Sequence, residues 1–163
     1  MQMGRSIINT VKHWRKSNLR SWPKQPSFRE KLKSYVPTMI FVSWLGTYLD
    51  LIFVEKQLYS FPVRPFPDIF KINIMFTLCI LPIVTAIFLN CLQSMNSWQR
   101  KGIVLFSGII AAGIEQISEK LGWFAHSSEW RHFYSFFGYI LFMWLVWKFH
   151  LWIIHLSKEA PQQ

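Results

Sequence analysis

Residues 102–121 read GIVLFSGIIAAGIEQISEKL, and the number of membrane passes turns on them. A helix of about 20 residues, at roughly 1.5 Å each, covers the ~30 Å hydrocarbon core of a bilayer. This stretch has that length, but Glu115, Glu119 and Lys120 crowd its far end. Its spacing supplies the reason to accept it. Gly108, Ala112, Glu115 and Glu119 fall at i, i+4, i+7 and i+11, so they share one helix face. Small residues let helix backbones approach closely in lipid. The carboxylates therefore point into a bundle and away from lipid. Whether the helix runs straight or bends near Glu115 the spacing leaves open.

Three further stretches have the same length and character. They are YVPTMIFVSWLGTYLDLIFV (35–54), IFKINIMFTLCILPIVTAIFLNCL (69–92) and FYSFFGYILFMWLVWKFHLWII (133–154). Four such runs exceed what one soluble core of 163 residues can hold, and the chain is 52% hydrophobic and 18% aromatic. The expected fold is all-α, an integral membrane bundle of four transmembrane helices over residues 35–156. A basic tail (1–34) precedes it and a short tail (157–163) follows.

The charge pattern orients the bundle. The chain carries +10, and nine of its 18 Lys and Arg lie in residues 1–34 against the single acid Glu30. With the N-terminus inside, Arg100, Lys101, Lys148 and Lys158 also fall inside, leaving Lys56, Arg64, Lys71, Lys120 and Arg131 outside. That bias predicts a cytoplasmic-membrane protein with both termini in the cytoplasm. Trp98, Trp144, Trp147 and Trp152 mark the inner border, Trp123 and Trp130 the outer one. In the tail, Ile7, Val11 and Trp14 repeat at helical spacing with Lys12, Arg15 and Lys16 between them. An interfacial amphipathic helix there would contact anionic lipids, whereas an irregular basic tail would serve orientation alone. No nucleic-acid motif accompanies the charge. Cys79 and Cys91, twelve positions apart on one run, read as buried packing residues, and no signal-peptide or myristoylation pattern opens the chain.

Acids collect at the outer side: Asp50, Glu55, Asp68, Glu115, Glu119 and Glu129. Following each helix direction, Asp50, Lys71, Asn73 and Glu115 meet at similar depth, with Glu119 nearer the surface. The loop YSFPVRPFPDIF (59–70) lies over them. Its prolines stiffen it. Pro67 and Asp68 are expected to open the second helix, Tyr59, Phe61 and Phe66 to anchor in the interface, and Arg64 to fold inward onto Asp50, Glu115 or Glu119. The cluster reads either as a salt-bridge network that pins helices or as a cation or proton site on the same carboxylates.

HSSEWRH (126–132) adds His126, Glu129 and His132, which with Glu119 have the donor types for a divalent metal. Steps of three drift around a helix, so these side chains converge only on irregular backbone. Otherwise the segment is an interfacial His/Trp loop. No HExxH, GxSxG, P-loop or GxGxxG pattern is present, no cofactor is expected, and no residue is assigned a catalytic role. His150 and His155, with Lys148, read as interface residues reaching for water at the inner end.

YSFPVRPFPDIFKIN, WQRKG and EQISEKLGWFAHSSEWRHFYSFFGY together resemble an uncharacterised family of small multi-pass membrane proteins of spore-forming Gram-positive bacteria. The similarity spans roughly residues 45–149. It implies membrane topology and location and carries no activity to this chain. The expected function is therefore a non-enzymatic accessory, assembly or sensing component of the cytoplasmic membrane. Two alternatives stand beside it: an oligomeric transporter or ion-conducting subunit using the outer carboxylates, and an outward-facing metal-dependent enzyme. Expected partners are the lipid bilayer, anionic lipids at the tail, and a second copy or another membrane protein.

Overall fold

The computed structural model describes residues 27–128 and 130–159. Its units divide at Glu30, into Met1–Glu30 and Lys31–Gln163. Lys12, Arg15, Lys16 and Glu129 lie outside the described residues.

Four helices are long and apolar enough to cross a membrane. They are α1 (Phe28–Glu55), α2 (Phe76–Gln93), α3 (Ser97–Lys120) and α4 (His132–Glu159). A two-residue strand follows α1 (β1, Tyr59–Ser60) and another follows α3 (β2, Ala125–His126). The protein is an all-α, membrane-embedded four-helix bundle. Its lipid-facing logic is visible in what it leaves uncovered. Ile40, Trp44, Ile83, Ile87, Phe106 and Leu141 are each more than half exposed. In water such continuous apolar faces would drive aggregation, whereas in hydrocarbon they are matched by the solvent.

The helix ends explain the boundaries. Ser27 and Glu30 cap the start of α1 reciprocally, at 2.7 and 3.3 Å. Asn96 and Gln99 do the same for α3, both at 3.0 Å. These capping boxes satisfy amides that a helix start leaves free, and both helices begin earlier than residues 35 and 102. At their other ends, Leu58 N–H reaches Phe53 O (2.9 Å) and Trp123 N–H reaches Ser118 O (2.9 Å). Both are six-residue closures around a residue of positive φ, Gln57 (57°) and Gly122 (74°). Glycine takes that conformation freely; glutamine is held in it. Between its caps α3 is one continuous helix, so the third pass is complete and does not break at Glu115.

The second pass departs most from expectation. Helical backbone starts at Ile74 and leads into α2 at Phe76, not at Ile69, and Asn73 takes the starting role assigned to Asp68. The Asn73 side chain accepts from Phe76 N–H at 3.2 Å, while Asp68 is exposed in the loop. The first turn, Phe76–Ile80, is wound as π-helix and runs into Pro82. A proline ring collides with the carbonyl four residues back and supplies no amide to it, and a widened turn relieves both problems. Cys79 and Cys91 are exposed rather than buried, on the outer surface of this helix.

The core is one cluster of Tyr35, Val42, Phe88, Leu89, Leu92, Val104 and Val146. Its central members Val42, Leu89 and Val146 are 0–1% exposed. α3 and α4 pack tightly at Gly108, where an added Cβ would lie 2.5 Å from Ile140 Cγ1 and 3.3 Å from the Ile140 backbone nitrogen. The backbone contact makes that position intolerant of volume. Gly108→Val is expected to lower stability by about 1–3 kcal/mol, read as a drop in melting temperature in detergent. Gly113→Ala, with nothing within 4 Å of the new carbon, serves as the comparison and leaves the melting temperature unchanged or raised.

Candidate functional site

At the end of the bundle that carries the α1–α2 and α3–α4 connections, β1 and β2 pair antiparallel, Tyr59 with His126 and Ser60 with Ala125. Ser127 N–H extends the ladder to Leu58 O at 2.9 Å. Two loops far apart in sequence thus become one lid, and His126 is the side chain it carries inward.

Beneath the lid stands Glu115, 8% exposed. Ser135 Oγ donates to its Oε1 at 2.6 Å and the Tyr139 hydroxyl donates to Oε2. Ser135 and Tyr139 are one turn apart on α4, so both face α3. Trp130 Nε1–H donates to Ser135 Oγ at 2.9 Å, completing a short relay onto the carboxylate. A buried carboxylate needs such donors, because desolvation without them costs several kcal/mol.

His126 lies between two carboxylates. Its Nδ1 is 3.2 Å from Glu119 Oε1, and its backbone N–H points at the same oxygen at 3.4 Å. An ionised carboxylate only accepts, so Nδ1 carries the hydrogen. Its Nε2 is 3.1 Å from Glu115 Oε1, an ion-pair distance. The alignment is not that of a hydrogen bond, and Nε2 is a buried polar atom without a hydrogen-bond partner. The second histidine, His132, approaches Glu119 Oε2 through its Nε2 at 3.7 Å. The His126 ring stacks on Trp130 (5.4 Å between centroids, 9° between planes) and meets Phe124 edge-on.

Asp50 belongs to the same end. Tyr59 donates to its Oδ1 at 2.5 Å, and Oδ2 is buried without a partner. Burial first, and the Asp50 charge second, push the Tyr59 hydroxyl up, so it remains a donor. Its ring contacts Phe61, Phe124 and Trp130.

Some expected partners take other roles. Arg64 does not turn onto the carboxylates. Its guanidinium donates to three carbonyls of its own loop, Phe61, Pro67 and Phe70, at 2.7, 3.2 and 2.6 Å. Between those anchors Phe66 sits at φ 54°. A bulky residue there needs its surroundings to hold it, and the arginine does so. Lys71 pairs with Glu55 at 3.0 Å on the open surface, 73% and 74% exposed, rather than joining Asp50. Exposed pairs of that kind add little stability. Asn73 caps α2. At the opposite end His150 is buried, its Nδ1 3.1 Å from Thr38 Oγ1, whereas His155 stays exposed and pairs with Glu159 at 3.3 Å.

Tyr139, Ser135 and the inward turn of Tyr59 escaped the reading of the sequence. Ser135 and Tyr139 at i, i+4 within an oily run were the available signal. In comparisons with protein families, curated proteins and solved structures, the chain matches none.

Replacing Tyr139 by Phe removes one donor from a buried carboxylate. The expected cost is about 1.5–3 kcal/mol, measured by thermal unfolding in detergent. Tyr134→Phe, on an exposed position of the same helix, is expected to change little.

Proposed function

We propose that the protein is a non-enzymatic sensing or accessory component of a bacterial cytoplasmic membrane, which binds a solute at the lid-covered polar centre on the outer face. The observation that carries this reading is the contrast between that centre and the layer below it. Glu115, Glu119, His126 and His132 converge at one end. The middle of the bundle is filled by Val42, Leu89 and Val146 without exposed surface to speak of. A solute that reaches the centre meets a packed apolar plug, so a single copy offers binding without passage. Among the described residues no hydroxyl or thiol hydrogen-bonds to His126, and Ser135 spends its proton on Glu115.

The order of charges along the sequence supports the orientation: a cytoplasmic N-terminus assigns 13 of the 18 Lys and Arg to the inner side. The resemblance to small membrane proteins of spore-forming bacteria supports the choice of membrane.

Two measurements test the reading. In a background with Cys79 and Cys91 replaced by Ser, Val63→Cys is expected to react with an impermeant maleimide on intact cells, and Ser157→Cys only after permeabilisation. The reverse pattern puts the centre in the cytoplasm and ends the assignment to the outer face. Pure protein in liposomes is expected to show no ion flux above empty vesicles and no hydrolysis of ester, peptide or phosphate probes. Robust flux or turnover would overturn the non-enzymatic binding role.

A further inference from the structure

Glu115, His126 and His132 each place one donor atom within 4.8 Å of the other two. We propose that these three side chains form a site for a divalent first-row transition cation such as zinc or manganese, with Glu119 as the carboxylate that orients His126. The inference rests on the reading above, that the centre binds a solute, and names the solute's chemical class.

The decisive detail is His126. Its side chain is 5% exposed, yet Nε2 has no hydrogen-bond partner. Glu119 fixes the hydrogen on Nδ1, and in that neutral tautomer the Nε2 lone pair faces Glu115 Oε1, 3.1 Å away. Two electron donors facing each other in a dry site repel. A cation seated against both turns that repulsion into coordination. The spacing suits it, because metal–ligand bonds of about 2.0–2.2 Å put neighbouring ligand atoms roughly 3–3.5 Å apart. Carboxylate, histidine and metal in that order is the usual way a ligating imidazole is aimed, its second nitrogen donating to an acid. Tyr139 and Ser135 hold the Glu115 carboxylate in the same manner.

The donor set selects the ion. Imidazole nitrogen suits zinc, iron or nickel and the carboxylate oxygen admits manganese, whereas magnesium and calcium prefer oxygen alone. Soft copper(I) prefers sulfur, and Cys79 and Cys91 lie apart from the group, exposed on α2. Two carboxylates and two neutral histidines present a charge of −2, which one divalent ion balances. The entrance is at His132 and Glu119, whose side chains are 54% and 33% exposed. Coordination requires the exposed His132 side chain, 3.7 Å from Glu119 Oε2, to turn toward the buried pair.

The test uses the full chain, purified in detergent, stripped with a chelator and titrated with Zn²⁺ or Mn²⁺ against a chelating dye. Mg²⁺ and Ca²⁺ are titrated in parallel. The expected result is one Zn²⁺ per chain, weak or no response to Mg²⁺ and Ca²⁺, and a higher melting temperature with Zn²⁺. Glu119→Gln is expected to weaken binding about 10–100-fold with the stoichiometry kept. His132→Ala, which alters a surface-exposed side chain and leaves the helical circular dichroism unchanged, is expected to weaken it at least as much. His155→Ala is expected to bind as the parent does. Co²⁺ is expected to give visible absorption that disappears in His132→Ala. A folded parent that binds no Zn²⁺ or Mn²⁺, or binding undiminished in both Glu119→Gln and His132→Ala, overturns the metal assignment. Either result leaves the binding role standing, since that role falls only to flux or turnover by the pure chain.

Discussion

A carboxylate buried in an oily bundle is the constraint around which this end of the molecule is organised. Charged residues at the centre of a membrane helix cost on the order of 2.5–3.5 kcal/mol by insertion scales, and Glu115 is 8% exposed. The cost is met by geometry. Gly108 lets α3 lie against α4 at Ile140, and that approach brings Ser135 and Tyr139 within hydrogen-bonding reach. Trp130 braces Ser135 and stacks on His126, so the lid is aimed by the same residues that solvate the acid. Remove the close helix contact and the donors withdraw together.

The passes were legible because they rest on length and composition, which a bilayer imposes directly. The inward face of α3 was legible too, since Gly108, Ala112, Glu115 and Glu119 keep helical register. The convergence of His126 and His132 on Glu119 was readable only as donor chemistry. Its geometry depends on a two-residue ladder with Tyr59 and Ser60, 67 positions apart in sequence for Tyr59 and His126, and local periodicity carries no record of such pairing. Arg64 shows a different failure. Depth and sign suggested a partner across the bundle, but a positive charge on a stiff proline loop found three nearby carbonyls first. Short loops often satisfy themselves, because ordering a nearby partner costs less entropy than reaching a distant one. The start of α2 was misplaced for a related reason: apolar Ile69, Phe70, Ile72, Ile74 and Met75 carry the run on around Lys71 and Asn73, and the Asn73 cap marks where the helix begins.

Polar groups are distributed unequally along the bundle. The lid end has the carboxylates of Asp50, Glu115 and Glu119, two histidines and a layer of aromatic rings. The other end has His150 against Thr38 and Tyr35. Val42 and Val146 separate them on the same helices. Such a plug separates the two ends sterically, and among the described residues Val42 and Val146 are fully buried apolar side chains on α1 and α4 at that level. What happens at the lid is therefore a property of the lid, the top of α3 and the first turns of α4.

The β1–β2 ladder has a consequence for biogenesis. Every donor around Glu115 is encoded after residue 114, while β1 and Asp50 are encoded before residue 61. As the chain emerges from the ribosome, the first hairpin enters the membrane with one strand of the lid already made and unpaired. The second hairpin brings the acid, its donors and the matching strand together. Glu115 is made before Ser135 and Tyr139, so its donors arrive only with the fourth pass, whereas the backbone edge that closes over it is encoded first.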